Sequence, residues 1–503
     1  MQDLAVMNPF GRPPIHINDL PVELLRIIME EATPFLNFSD LEYGSPMSIL
    51  GVCRKWRDIL ITFPKLWYNF LIMNSPEDDP LDPMLSEDNI RTWVGRSQSR
   101  PLKILIYTVR KSDNLQAAVR HFITHASRKI GSLSICSRAP LASDDFYVSL
   151  DCPEELPCLE QVSIFFENRE EGRGWWAKLV HNAVALRNLT WCMCPGYLQW
   201  TRLSQLTRVE LIWPLCPSQA LHILECIPGL LEFVIDLHAY GGIRLAMLHP
   251  SVPDIPEASR GIHLVHHLRS LRIYTTSQVR LDIRHFIKSL TLPSLTELEF
   301  ASRSRDQAKV WSQDHILSLL NRSSCTLRRL KLFSMDLTEE EAIELLRLDS
   351  MRLSLEELII SQKVTAVPSP QVPIVGEKFL KFLTVPDEPT SSHTRTTSLM
   401  LPHLRRLVLS NTLGDDTDIA LLKMVNSRYP TAKHGVDTFE RLLLVKKRSD
   451  DDIAEEQEPE AVELIKQVGF DLTLRDGFDW YCVESNGVPT TPILETMREM
   501  TGQ

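Results

Sequence analysis

The sequence predicts an α/β protein in which a compact helical module leads into a long array of short parallel strands, each backed by a helix. Three observations predict it. Leucine-like residues at relative positions 1, 4 and 6 recur about a dozen times between residues 102 and 444. The segments between these runs carry helix-start signals and apolar stripes. The block before them, residues 17–73, has helical rather than alternating periodicity.

Composition sets the frame. At 503 residues the chain is too long for one core, so several domains or an elongated array are expected. A hydrophobic fraction of 44% against 24% charged residues implies that most of it folds. A net charge of −11 argues against a chain that coats nucleic acid or an anionic membrane. No run approaches the roughly 18 apolar residues of a membrane span, and the N-terminal stretch lacks the basic and apolar regions of a signal peptide. A cytoplasmic or nuclear location follows as an expectation, with Lys446-Lys447-Arg448 the candidate nuclear signal. Ten scattered cysteines form no C-x-x-C pair, and Cys192 and Cys194 are too close for zinc spacing, so they read as ordinary thiols of a reduced compartment.

Along the chain, residues 1–16 are a flexible lead-in. Within 17–73, Asn18 or Asp19 can cap a helix that opens at Pro21, with Leu24, Leu25 and Ile28 as its apolar stripe. A second helix is expected from about Met47 to Leu60, burying Ile49, Leu50, Cys53 and Trp56. Pro64 ends a short turn, and Leu66 and Trp67 pack back. Residues 74–99 form a Pro- and acid-rich linker, then a helix capped by Ser86 that runs through Ile90, Trp93 and Val94.

The array occupies 100–445. Its runs begin at Leu102, Ile130, Leu159, Leu186, Leu206, Leu230, Leu268, Leu295, Leu327, Leu355, Leu404 and Phe439, mostly about 20–32 residues apart. Positions 4 and 6 share a face because the side-chain period of a strand is two. Between runs, Thr338 and Glu341 make a capping box, and Asp314 and Asp416 open similar stripes. Residues 361–400, rich in Pro, Ser and Thr, are expected to be an inserted loop. Residues 446–460 form a charged loop and 461–503 a C-terminal cap.

This period and core resemble leucine-rich repeats. The resemblance implies a solenoid with parallel strands on a concave face and helices on the convex one. Positions 3 and 5 then face the concavity: Glu297, Arg329, Glu357 and Arg406 at position 3, and Arg272, Glu299 and Lys331 at position 5. Their signs alternate from repeat to repeat, which suits either cross-strand ion pairing or a mixed-charge docking face for a protein substrate. Nucleic acid would call for one sign throughout. No catalytic motif is present, and no enzyme activity, cofactor or metal is expected. His263, His266 and His267 read as surface or capping residues.

The N-terminal block resembles the three-helix F-box. The match lies in Leu20-Pro21-x-Glu23-Leu24-Leu25-x-x-Ile28, then Leu50-x-Val52-Cys53-Arg54-x-Trp56-Arg57, then Pro64-x-Leu66-Trp67. The connection from Ala32 to Pro46 is longer than is usual there. The resemblance implies that Leu20, Pro21, Leu24, Leu25, Ile28, Leu50, Val52, Cys53 and Trp56 bind a Skp-family adaptor, and through it a cullin. The chain would then be the substrate-recognition subunit of an SCF-type cullin–RING ubiquitin ligase. The alternative is a non-catalytic repeat scaffold that binds the adaptor outside a ligase.

Overall fold

The computed structural model describes residues 17–32, 49–74, 87–108, 113–137, 152–166, 173–193, 195, 198–237, 263–275, 283–302, 311–335, 337–362, 374–385, 400–410, 417–428 and 441–445. The lead-in, the Ser86 cap, most of the 32–46 connection, and the expected loop and cap at 446–503 lie outside them. The chain is mixed α/β with a parallel sheet and helices between strands. It divides into two compact units, one within residues 1–186 and one within 187–479. Among the described residues no helix is long and apolar enough to cross a membrane.

The first unit opens with α1 (Val22–Glu31), which starts after Pro21, a residue with no N–H to lose. Next come α2 (Arg54–Ile61), β1 (Asn69–Asn74), α3 (Glu87–Arg96), β2 (Leu102–Thr108), α4 (Asp113–His125), β3 (Ile130–Ser137), β4 (Gln161–Phe166) and α5 (Arg173–His181). The four strands pair in parallel in sequence order.

Three features differ from expectation. The second helix is interrupted: Gly51 and Val52 form a turn, Cys53 is extended at φ −161°, and α2 begins only at Arg54. Its buried residues are Ile59 and Leu60, whereas Leu50, Cys53 and Trp56 are half-buried. The block also ends in a strand, because Phe70 turns inward beside Ile104 of β2. There its ring packs edge-on against Trp93 at 5.0 Å and Phe122 at 4.6 Å, and Trp67 meets Trp93 at 5.0 Å. Finally, the β2–β3 register slips where Gly131 sits between Ile130, opposite Leu102, and Ser132, opposite Lys103. A Cβ at Gly131 would lie 2.7 Å from Pro101 Cβ, so the bulge requires glycine.

The second unit carries β5 (Asn188–Trp191), β6 (Arg208–Leu215), α6 (Pro217–Cys226), β7 (Glu232–Leu237), β8 (Leu264–Val265), β9 (Ser270–Thr275), α7 (Ile283–Lys288), β10 (Leu290–Thr291) and β11 (Glu297–Ser302). It continues with α8 (Gln313–Ser323), β12 (Arg329–Phe333), α9 (Glu339–Leu346), α10 (Asp349–Arg352), β13 (Glu357–Ser361), α11 (Glu377–Leu383), β14 (Arg406–Ser410), α12 (Asp418–Arg428) and β15 (Arg441–Val445). The small strands β8 and β10 pair with each other, and the rest form one parallel ladder in sequence order.

The ladder repeats one device. The carbonyl of motif position 2 accepts two N–H groups from the next repeat: Arg269 from Thr296 and Glu297, Thr296 from Arg328 and Arg329, Arg328 from Glu356 and Glu357. Positions 1, 4 and 6 then fall into register and are buried from β5 to β14, as in Leu295, Leu298 and Phe300, or Leu355, Leu358 and Ile360. The Thr338–Glu341 capping box forms as expected, with Glu341 N–H donating to Thr338 Oγ1 and Thr338 N–H to Glu341 Oε2. The expected loop at 361–400 instead contains α11, which buries Phe379, Leu380 and Leu383. Glu339 of α9 caps it by accepting the Phe379 N–H at 2.7 Å.

Candidate functional site

Two surfaces carry the residues singled out by sequence. The first is the N-terminal module. On α1, Leu25 and Met29 face the core, while Leu24, Ile27 and Ile28 are exposed at i, i+3, i+4 spacing. The helix is therefore apolar on two sides and buries only one of them. Val52, in the turn before α2, is 58% exposed, and Ile17 and Val22 are exposed as well.

Asn18 ties these pieces together. Its Oδ1 accepts from Trp56 Nε1 at 2.9 Å and lies 3.7 Å from Cys53 Sγ. Lys55 donates to the carbonyls of Asn18 and Leu20. The start of α2 is thus held against the start of α1, which brings the turn carrying Val52 beside Asn18. Lys65 pairs with Glu30 at the other end of α1, and Arg26 lies over the Phe63 ring at 5.3 Å.

Of the expected adaptor contacts, Pro21, Leu24, Ile28 and Val52 are exposed, and Leu20, Leu50, Cys53 and Trp56 are half-buried. Leu25 is a correction: it is fully buried in the module's own core. Trp56 and Cys53 both reach Asn18 Oδ1. Ile27, at 56% exposure, lies on the same exposed set, where the spacing Leu24-x-x-Ile27-Ile28 places it.

The second surface is the outer face of the second unit's ladder. The register sets Glu297 opposite Arg329, Arg329 opposite Glu357, and Glu357 opposite Arg406, while Glu299 stands between Arg272 and Lys331. Glu297 lies 3.2 Å from Arg272, 3.5 Å from Lys331 and 3.5 Å from Arg329. Burial works against its ionisation, but these three cations outweigh burial and hold its carboxyl below the ordinary value. Arg272 also reaches Glu299 at 3.7 Å, and Tyr274 Oη donates to Glu299 at 3.0 Å. Burial, then the neighbouring Glu299, pushes the Tyr274 phenol well up.

These contacts correct the docking-face expectation for part of the set. Glu297 and Glu299 are buried, and Arg272 and Lys331 are mostly covered and committed to them. Arg329 and Arg406 remain exposed, with Glu357 half-buried between them. The same pattern continues into earlier repeats: Arg208 pairs with Glu232 at 3.1 Å and Glu210 at 3.4 Å. Those residues occupy positions 3 and 5 of their own motifs, so the same rule finds them.

The three histidines go separate ways. His266 is buried with Nε2 3.0 Å from the Ile227 carbonyl, whereas His267 meets Ser294 and His263 meets Thr291. Burial drives the His266 imidazole to a low pKa. The described cysteines are free thiols, and burial pushes Cys152 and Cys325 up to about 11, which leaves them unreactive. No protein-family model matches this chain, and no curated protein does.

Proposed function

We propose that the chain is a non-catalytic substrate receptor of an SCF-type ubiquitin ligase: an F-box at its N-terminal end, and a leucine-rich repeat solenoid that holds a protein substrate. One observation carries the reading. The N-terminal module, in which α1 already contributes Leu25 and Met29 to its own core, exposes a second apolar set of Leu24, Ile27, Ile28 and Val52. Exposed apolar patches of this kind mark partner surfaces, and a helix presenting i, i+3, i+4 anchors suits a hydrophobic groove. The motif residues that suggested the F-box lie on that patch or, like Trp56, brace it.

In this reading Leu24, Ile27, Ile28 and Val52 are the adaptor anchors, and Leu20 and Pro21 extend them at the helix start. The substrate meets the exposed part of the ladder face, at Arg329, Glu357 and Arg406, above the buried ion-pair cluster. Ubiquitin transfer belongs to other subunits, so no catalytic group is required here.

The test is co-purification of a Skp-family adaptor and cullin with the wild-type chain and with a Leu24→Ser/Val52→Ser variant. The reading expects both partners with wild type and loss of both with the variant, whose circular dichroism stays that of wild type. Folded wild-type chain that captures no adaptor overturns it. Capture of adaptor without cullin replaces the ligase with a scaffold.

A further inference from the structure

In the first unit, α3 and α4 bring three metal-ligating side chains together. His121 and His125 lie one helical turn apart on α4, with ring centroids 4.6 Å apart. Glu87, the first residue of α3, places Oε1 3.7 Å from His121 Nδ1. A ligand atom from each of the three lies within 4.8 Å of the others. His121 is buried, and Glu87 and His125 are exposed, so the cluster has a rigid inner ligand, two movable outer ones and an open side.

We propose that Glu87, His121 and His125 bind a zinc-class divalent ion, with water in the fourth position. Two imidazoles from i and i+4 of one helix plus a carboxylate from its neighbour form a three-ligand N2O set, the donor count that leaves one zinc position open. Zinc bonds of about 2.0–2.2 Å require the ligand atoms to close to roughly 3.4 Å. The exposed Glu87 and His125 side chains have the freedom to make that move. Arg91 hydrogen-bonds Glu87 Oε1 at 2.7 Å and orients the carboxylate as an outer-shell partner. The bound ion ties α3 to α4. This site is independent of the adaptor reading.

The probe is the metal alone. Full-length chain is titrated with zinc chloride by calorimetry, and with Co2+ by visible absorption, alongside His125→Ala, Glu87→Gln and a His222→Ala/Cys226→Ser control. That control removes a separate close His–thiol pair, in which Cys226 Sγ is 3.6 Å from His222 Nε2. Expected are one ion per chain, affinity at least tenfold weaker in His125→Ala and in Glu87→Gln, and unchanged binding in the control. The Co2+ spectrum should show ligand-field bands with no thiolate charge-transfer band. Wild type that takes up no ion, His125→Ala that binds like wild type, or a thiolate band that vanishes in the control overturns the proposal.

Discussion

Glu297→Gln tests whether the buried charge cluster stabilises the ladder. The substitution keeps size and hydrogen-bonding capacity and removes one charge. It leaves Lys331 and Arg272, both mostly covered, without the carboxylate that lies 3.5 and 3.2 Å from them. Removing one partner of a buried pair costs about 3–5 kcal/mol. Arg272 retains Glu299 at 3.7 Å, and Arg329 is half exposed, where a pair is worth at most about 1 kcal/mol. The net expectation is therefore about 2–3 kcal/mol, below the full range for a broken pair. It is read from denaturant unfolding at pH 7 followed by circular dichroism. Lys331→Met, made alone and together with Glu297→Gln, completes a double-mutant cycle, and the coupling should be about 1 kcal/mol or more.

The same carboxylate sets an acid limb. Its folded pKa lies below the unfolded value, so its contribution is complete above the ordinary carboxylate range and is lost as pH falls through the folded pKa. Glu297→Gln should flatten stability against pH in that acid window and leave the alkaline side alone. A variant within about 0.5 kcal/mol of wild type at pH 7, the range of ordinary surface substitutions, would refute the reasoning and make the cluster a solvated ornament of the face.

Other substitutions separate the remaining forces. Arg428 is buried and donates to the carbonyls of Leu383, Met400 and Leu401 at 2.9–3.1 Å. Arg428→Met should cost about 3 kcal/mol by stranding those acceptors, seen as a lower unfolding midpoint. Thr338→Ala removes the α9 cap and should cost about 1 kcal/mol in the same assay. Gly131→Ala drives a methyl into Pro101 and should cost about 1–3 kcal/mol, with faster amide exchange along β2 and β3. Trp56→Phe loses the 2.9 Å bond to Asn18 and should cost about 1 kcal/mol, read as earlier loss of helical signal on heating.

Much of the ladder was legible because burial in it follows a short period. Positions 1, 4 and 6 are inward in the runs from Ile130 to Leu404 whatever the intervening length, so irregular repeats still declared themselves; the Leu102 run is the correction, because there Ile104 and Ile106 turn inward and Leu105 and Tyr107 are half-buried. What escaped shows the limit of a leucine template. Trp67-x-x-Phe70-x-Ile72 has the same 1, 4, 6 spacing and forms β1, but its first two anchors are aromatic and it follows helices. The stripe of α11 was hidden by its Pro, Ser and Thr surroundings. Alternation also gave the face and sign of Glu297 and Glu299 but not their depth. Depth depends on neighbours such as Tyr274 and Arg272, whose bulk covers the carboxylates. At the N-terminal end the pattern showed an apolar helix, yet could not divide Leu24 from Leu25. That division needs the packing of α2, which supplies one wall for α1 to lie against.

The division has a consequence for how the proposed receptor works. In the first unit the residues that hold the module and those that it exposes are different side chains of the same helix. Trp67 Nε1 donates to the Leu60 carbonyl at the end of α2, and its ring lies under Arg96 at 4.4 Å and against Trp93 of α3. Two residues on, β1 joins the ladder beside β2. The helices are therefore fixed to the first strands by an aromatic core with no intervening linker, whereas the exposed set of Leu24, Ile27, Ile28 and Val52 contributes little to that core. An adaptor docked there would be rigidly coupled to the start of the ladder and not tethered to it. An adaptor held on that set would keep one orientation relative to β1 and β2, which a flexible joint at that point would not give.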